Sequence, residues 1–175
     1  YHFSVGDKAK ELEALQKLID LINASKTYTV ENPLDYVSIY NRLLSIKKYF
    51  PTESFFDDIK ILNEFALKVQ INKEVVLERV FVHTNTHELE YYLLNNEFGR
   101  AISKINEVEK KGQKLTTDIE PYHMMYFYYL HITALIFTGQ YHKALKFVNL
   151  TLNNFHFDDR PQVYLRVEVL NAIVH

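Results

Sequence analysis

One run of the chain, Met124 to Phe157, constrains the fold more than any other part, because it predicts two helices joined by a tight turn. Its first half is apolar and aromatic almost all round, as in a buried helix. Its second half begins near Tyr141 and places Ala144 and Val148 on one face. Gly139 lies between the halves, and glycine permits the left-handed backbone that such a turn needs. The run therefore predicts an antiparallel helical hairpin.

Composition extends this prediction to the whole chain. Only four Gly and four Pro occur in 175 residues, and 47% of the residues are hydrophobic. So few breakers favour an all-α fold of about eight long helices over a β fold. The net charge of −2 gives no sign of the excess positive charge that proteins binding nucleic acids usually carry. The absence of cysteine excludes disulfides, thiolate metal sites and a cysteine nucleophile.

Apolar spacing and helix-breaking residues predict the remaining helices. The stretch from Ser25 to Val30 is predicted as a polar connector that has room for an extended segment. The start of the stretch 72–95 is rich in β-branched valines, which are typical of strands, but its later pattern and its neighbours favour helix throughout. The predicted helices outside the central hairpin cover residues 7–23, 33–50, 54–69, 72–95, a segment from about 98, and 161–175.

The hairpin turn has a counterpart earlier in the chain. Residues 95–102 match residues 138–145 position by position, 43 residues apart, with aromatic on aromatic, base on base and alanine on alanine. Asn96 stands where Gly139 stands later, and asparagine tolerates the left-handed conformation better than other non-glycine residues. The match predicts two hairpins of the same kind.

The pattern Gly139-x-Tyr141-x-x-Ala144-Leu145, with Ala134 on the preceding helix, resembles the turn of the tetratricopeptide repeat. The resemblance implies a right-handed array of antiparallel helical hairpins, an α-solenoid whose concave surface binds a protein or peptide. Tetratricopeptide repeats run to ~34 residues, whereas HEAT and armadillo repeats run to ~40–47. The residues of the turn favour the tetratricopeptide repeat, whereas the period of 43 residues favours the HEAT and armadillo repeats. HEAT-like packing therefore stays an open alternative.

The chain is accordingly predicted to be a single helical-repeat domain over residues 1–175, part of a longer array. Residues 1–71 form its less regular beginning, residues 72–117 and 118–160 form repeat hairpins, and residues 161–175 form the first helix of a further repeat. That last helix has apolar residues that its missing partner helix would cover. We therefore expect self-association through residues 161–175.

A polar stripe on the helix of residues 72–95 is the candidate binding surface. Its residues fall at spacings of four, three and four, which puts them on one face of a helix. Shifting three of them by the repeat period gives a matching stripe on the helix that contains Tyr126. Equivalent faces of stacked hairpins lie side by side, so the two stripes predict one partner-binding surface, here called the concave strip. It comprises Arg79, His83, Thr86, Glu90, Tyr126, Tyr129 and Thr133.

The function predicted from these features is a non-catalytic protein- or peptide-binding scaffold without a cofactor. The alternative is a peptide-sensing regulatory module attached to an effector domain outside this chain. A metal-dependent enzyme is a third possibility, because His83 and His87 lie four apart and His123 or His131 could add a ligand. No phosphate loop, catalytic triad signature or HExxH pattern accompanies them. No membrane-spanning segment is predicted, and a cytoplasmic location is expected unless a targeting signal has been removed.

Overall fold

Nine α-helices and no strand make up the part of the chain that the computed structural model describes, residues 5–50, 54–111 and 121–175. The prediction of an all-α fold is confirmed, and a short helix explains why the count exceeds eight. The helices are α1 (Val5–Ala24), α2 (Lys26–Glu31), α3 (Pro33–Lys47), α4 (Ser54–Lys68), α5 (Lys73–Leu94), α6 (Phe98–Lys111), α7 (Pro121–Phe137), α8 (Tyr141–Asn154) and α9 (Pro161–Val174). A single 3₁₀ turn, Phe157–Asp159, precedes α9.

The chain divides into two compact units, Tyr1–His87 and Glu88–His175. The division falls within α5, so this helix begins in the first unit and ends in the second. Each unit has its own set of packed helices and is described by itself.

In the first unit, α3 packs against α1, α2 and α4. Its apolar face carries Tyr40, Leu43 and Leu44, which are almost fully buried together with Phe55 and Leu62 of α4. One polar contact lies inside this apolar region. Lys47 of α3 forms a buried ion pair with Asp58 of α4 and also donates to Ser54 Oγ at 3.1 Å.

The segment after α1 differs from its prediction. Residues 26–31 form the short helix α2, whereas a polar connector with an extended segment was expected. Ser25 caps α2, since its Oγ accepts a hydrogen bond from the backbone N–H of Tyr28 at 3.4 Å. Pro33 then occupies the first turn of α3, where its missing N–H costs nothing. Capping and packing against α1 and α3 therefore outweigh the weak helix preference of this β-branched sequence.

In the second unit, α7 is the central helix. It packs against α6, α8 and α9, and α8 also packs against α9. The end of α5 joins this unit through the ion pair of Glu88 with Lys104 of α6, at 2.6 Å. The largest fully buried side chains of the unit include Met125, Phe127 and Ile132, all on α7.

The turns after α5 and α7 have the same backbone geometry. Asn96 and Gly139 both adopt the predicted left-handed conformation, with φ of 57° and 71°. The N–H of Glu97 donates to the carbonyl of Tyr92, and the N–H of Gln140 donates to that of Leu135, each at 2.8 Å. In both turns the N–H of the left-handed residue also donates to the carbonyl three residues before it, which completes the motif. Two turns 43 residues apart thus end their helices in the same way.

The helices that follow these turns also have equivalent positions. Ala101 of α6 and Ala144 of α8 are fully buried, as predicted. Glu88 pairs with Lys104 in the first hairpin, and the residues 43 positions later, His131 and Phe147, are also in contact, with ring centroids 5.0 Å apart. The same pair of positions thus joins the two helices of each hairpin, through an ion pair in one and an aromatic contact in the other.

Helix α9 is buried on one side only. Val163 and Val167 face α7 and α8, whereas Leu165, Val169 and Ile173 are exposed. These three residues lie at successive intervals of four, which aligns them on one face. Self-association through this helix stays a prediction.

Among the helices of residues 5–50, 54–111 and 121–175, none combines the length and the apolar character that crossing a lipid bilayer requires.

Candidate partner-binding surface

The α5 part of the concave strip lies mostly in the interior. Arg79 is half-buried, and His83, Thr86 and Glu90 are buried. Every residue from Val82 to Glu90 is buried, so this part of α5 is enclosed on all sides despite its polar sequence. A ligand would reach His83 and Thr86 only after the side chains that cover them had moved.

Local hydrogen bonds satisfy several of these buried polar side chains. Thr84 Oγ1 donates to the carbonyl of Val80 at 2.8 Å, one turn back along α5. Asn85 Nδ2 donates in the same way to the carbonyl of Phe81 at 2.6 Å. Such bonds return polar groups to their own helix, which allows a polar segment to be buried without a second element to receive it.

Two further α5 side chains bond to other helices. His87 Nε2 donates to Asn41 Oδ1 of α3 at 2.7 Å, within the first unit. Lys104 bonds Glu88 at 2.6 Å and Glu107 at 3.1 Å, within the second. Burial acts to lower the pKa of Lys104, but the two carboxylates outweigh it and raise the pKa above its ordinary value. The Lys104 ammonium therefore stays charged and holds α6 against the end of α5.

Thr86 differs from its neighbours, because its Oγ1 is buried without a hydrogen-bond partner in the described residues. An unsatisfied buried hydroxyl costs roughly 1–3 kcal/mol. We therefore expect Thr86→Val, which keeps the shape and removes the hydroxyl, to raise the free energy of unfolding by about 1 kcal/mol in urea titrations. Thr84→Val is the matched control, since its hydroxyl is already bonded, and it should bring no gain. An equal effect of both substitutions would contradict the conclusion that the buried Thr86 hydroxyl is unsatisfied while the Thr84 hydroxyl is bonded.

The α7 part of the concave strip is more accessible. Tyr126, Tyr129 and Thr133 are each half-buried. The two tyrosine rings stack with centroids 5.9 Å apart and planes at 23°. Thr133 Oγ1 donates to the carbonyl of Tyr129 at 2.8 Å, so its hydroxyl is directed back along α7. These three residues thus share one face of α7, as predicted.

One residue of α5 and one of α7 from the strip meet directly. The hydroxyl of Tyr126 donates to Glu90 Oε1. A carboxylate acceptor makes this a charge-assisted hydrogen bond, which fixes the phenol at the level of the end of α5. Glu90 therefore contributes to the surface by orienting Tyr126.

Two arginines complete the surface, and the sequence did not identify them. The guanidinium of Arg160 lies 4.4 Å from the centroid of the Tyr126 ring, and that of Arg166 lies 5.9 Å from that of Tyr129. Both distances are typical of cation–π contacts. We call Glu90, Tyr126, Tyr129, Arg160 and Arg166 the tyrosine–arginine cluster. Guanidinium groups and phenols can donate to carboxylates and carbonyls, and aromatic ring faces can pack against apolar groups.

His131 lies in the interior of α7 and does not belong to this surface. It is fully buried, its Nδ1 donates to the carbonyl of Phe127 at 2.8 Å, and the rings of Phe127, Tyr128 and Phe147 surround it. Burial lowers the pKa of His131 to about 4, although the bond to Phe127 acts in the opposite direction. The imidazole is therefore neutral at neutral pH and serves as part of the aromatic core.

The metal hypothesis receives no support from the geometry. Within the described parts of the chain, no three His, Asp or Glu side chains come together as a group that could hold a metal ion. His87 is bonded to Asn41, and His131 is buried among aromatic rings. Comparison of the chain with protein-family models, with curated proteins and with solved structures gives no match.

Proposed function

We propose that this chain is a non-catalytic protein- or peptide-binding scaffold, built from tetratricopeptide-like hairpins that stack into a right-handed α-solenoid. The observation that carries the proposal is the repeated hairpin. Two turns 43 residues apart share a left-handed residue, the same pair of backbone hydrogen bonds and a fully buried alanine at the fourth position of the next helix. HEAT-like stacking is the other arrangement that a period of this length allows.

Repetition of a hairpin supports a binding function for a physical reason. A hairpin cannot bury all of its apolar surface alone, so neighbouring hairpins stack, and stacking produces an extended curved surface. Such surfaces bind extended or helical peptides through side chains that recur with the repeat.

The tyrosine–arginine cluster is the proposed binding surface. Tyrosine and arginine are among the residues that contribute most to protein–protein affinity. Tyr129 and Arg166 offer a ring and an exposed guanidinium side by side, while the bond to Glu90 orders Tyr126 before any ligand arrives. An ordered side chain loses little entropy on binding, which favours affinity. A partner with carboxylates or carbonyls beside apolar groups fits this surface best.

The buried strip residues of α5 favour the regulatory module as the second candidate. His83 and Thr86 were predicted to contact a ligand, yet both are enclosed. A peptide that bonded the Thr86 hydroxyl would satisfy an orphaned buried group, but it would first have to displace the side chains that cover it. Binding coupled to such a displacement is how a sensor transmits a signal to an attached domain.

Selection of peptides from a displayed library tests the scaffold function and defines the sequence that a partner must carry. The immobilised chain should enrich a family of related sequences, and synthetic peptides of that family should bind it in solution. The double variant Tyr126→Ala/Tyr129→Ala should lose most of this binding. It removes both aromatic rings and with them the cation–π contacts that hold Arg160 and Arg166. Retained helical circular dichroism would show that the loss is local.

Tyr49→Ala is the matched control, since Tyr49 is an exposed tyrosine of the first unit outside the cluster. It should leave peptide binding unchanged. Failure to enrich any related sequences would contradict the scaffold function. Enrichment that survives the double variant would place the binding surface elsewhere.

A further inference from the structure

Large apolar side chains are exposed where the hairpins of the second unit turn. Leu94 at the end of α5 is 53% exposed, Phe137 at the end of α7 is 66% exposed, and Tyr141 at the start of α8 is 48% exposed. Single exposed apolar residues are ordinary, but several at one end of a unit form a patch of the kind that contacts a partner. Nothing in the concave strip or the tyrosine–arginine cluster uses them.

The patch is continuous across the two turns. Phe98 begins α6 as Tyr141 begins α8, and Leu94 ends α5 as Phe137 ends α7, each pair 43 residues apart. The rings of Phe98 and Phe137 stack almost parallel, with centroids 5.1 Å apart and planes at 13°. This stack joins one turn to the next through one residue of each repeated pair.

A cation accompanies the aromatic residue in each turn. Arg100 follows Phe98 by two residues, and Lys143 follows Tyr141 by two residues. In the first turn, Glu97 pairs with Arg100 at 2.8 Å. Gln140 replaces Glu97 in the second turn, and its amide donates to Thr138 Oγ1, so Lys143 has no ion pair in the described residues. Among the described side chains of the two turns, Glu97 neutralises Arg100, and the charge of Lys143 is left unbalanced next to the apolar residues in the sequence.

We propose that these residues form a docking surface for an acidic peptide segment that carries apolar side chains. The surface, here called the turn-end patch, comprises Leu94, Phe98, Arg100, Phe137, Tyr141 and Lys143. Apolar side chains of the segment pack on the aromatic rings, and its carboxylates approach Lys143 first and Arg100 in competition with Glu97. A second copy of the chain fits less well, because the two patches would bring like charges together.

The turn-end patch goes beyond the proposed function and does not depend on the tyrosine–arginine cluster. The two surfaces share no residue, and a separate set of variants tests each of them. If the tyrosine–arginine cluster fails to bind a partner, binding at the turn-end patch can still be measured, and the reverse also holds.

Fluorescence anisotropy with two synthetic peptides tests the patch. The first is a labelled amphipathic helix of Leu, Phe and Glu, about 14 residues and so about 21 Å long. The second has Lys in place of every Glu. The chain should bind the acidic peptide at least about tenfold more tightly than the basic one, a difference of about 1.4 kcal/mol. Lys143→Glu, an exposed change that leaves the fold intact, should abolish this preference.

The apolar part of the patch has its own variant and control. Phe137→Ser/Tyr141→Ser should weaken binding of the acidic peptide by at least about tenfold. Leu165→Ser/Val169→Ser removes comparably exposed apolar residues from α9 and should leave binding unchanged.

Several results would overturn the proposal. Equal binding of the acidic and basic peptides would show that charge plays no part. Loss of binding in the α9 variant would show that any exposed apolar surface suffices. A concentration-dependent dimer that Phe137→Ser/Tyr141→Ser abolishes, without peptide binding, would assign the patch to self-association. Co-sedimentation with phosphatidylserine vesicles, again without peptide binding, would assign it to a membrane surface.

Discussion

Replacement of Asp58 by leucine should destabilise the protein by about 3–5 kcal/mol, the largest effect that we expect of a single substitution. Asp58 and Lys47 are a buried pair, with side chains 11% and 9% exposed. Removal of the carboxylate leaves the Lys47 ammonium in an apolar region, where Ser54 Oγ accepts a hydrogen bond from it at 3.1 Å. Urea denaturation followed by circular dichroism measures the loss.

The double variant Lys47→Met/Asp58→Leu distinguishes two explanations of the loss. Either the unpaired buried charge of Lys47 destabilises the single variant, or the ion pair itself stabilises the wild type. Burial raises the pKa of Asp58, although the adjacent ammonium of Lys47 acts to lower it, so the environment does not favour the carboxylate on balance. The double variant should therefore recover most of the stability that the single variant loses. Glu13→Gln, which breaks an exposed ion pair with Lys17, serves as the control and should change stability little. A double variant as unstable as Asp58→Leu would contradict this account.

Acid should destabilise the protein through His131 at a pH where carboxylates are still mostly ionised. The pKa of His131 is about 4 in the folded chain, below the ordinary value of 6.5. Above pH 6.5 the imidazole is neutral in both states, so its contribution is constant. Between pH 6.5 and pH 4 the unfolded chain binds a proton that the folded chain excludes, and the free energy of unfolding falls. From pH 7 to pH 5 the loss should be about 2 kcal/mol.

His131→Leu isolates this effect, because leucine has a similar volume and cannot be protonated. The difference between wild type and variant in the pH dependence of unfolding should equal the histidine contribution, since the other titrating groups are common to both. The variant should lose about 2 kcal/mol less than the wild type over the same interval. Parallel pH curves for the two proteins would show that His131 is protonated equally in the folded and unfolded states.

The sequence predicted the all-α class and most of the helices because local signals and packing agree over most of the described residues. Pro33 and Pro161 start helices, and Asn96 and Gly139 end them in the left-handed conformation that residue type alone favours. Helix α2 was missed because the propensity of its residues is weak, and the Ser25 cap decides its conformation. Prediction from the sequence worked where one residue carries the preference and failed where several weak preferences add up.

The candidate surface was less predictable. Spacing placed Tyr126, Tyr129 and Thr133 on one face of α7, but it also treated the polar stripe of α5 as a solvated face. A helix whose polar residues bond to its own carbonyls can be buried all round, and spacing does not reveal that. Arg160 and Arg166 were missed because their partners lie on α7, more than thirty residues away, and only the packing of α9 brings them together.

The different pairs at equivalent positions of the two hairpins also bear on how the chain avoids misassembly. Proteins with similar internal units risk joining the first helix of one unit to the second helix of another while they fold. Here such an exchange would set the carboxylate of Glu88 against the ring of Phe147, and the imidazole of His131 against the ammonium of Lys104. The exchange would break the ion pair of Glu88 with Lys104 and the aromatic contact of His131 with Phe147, whereas each correct pair is complementary. Because the pair that joins the two helices differs between the hairpins, each first helix packs best against the second helix of its own hairpin.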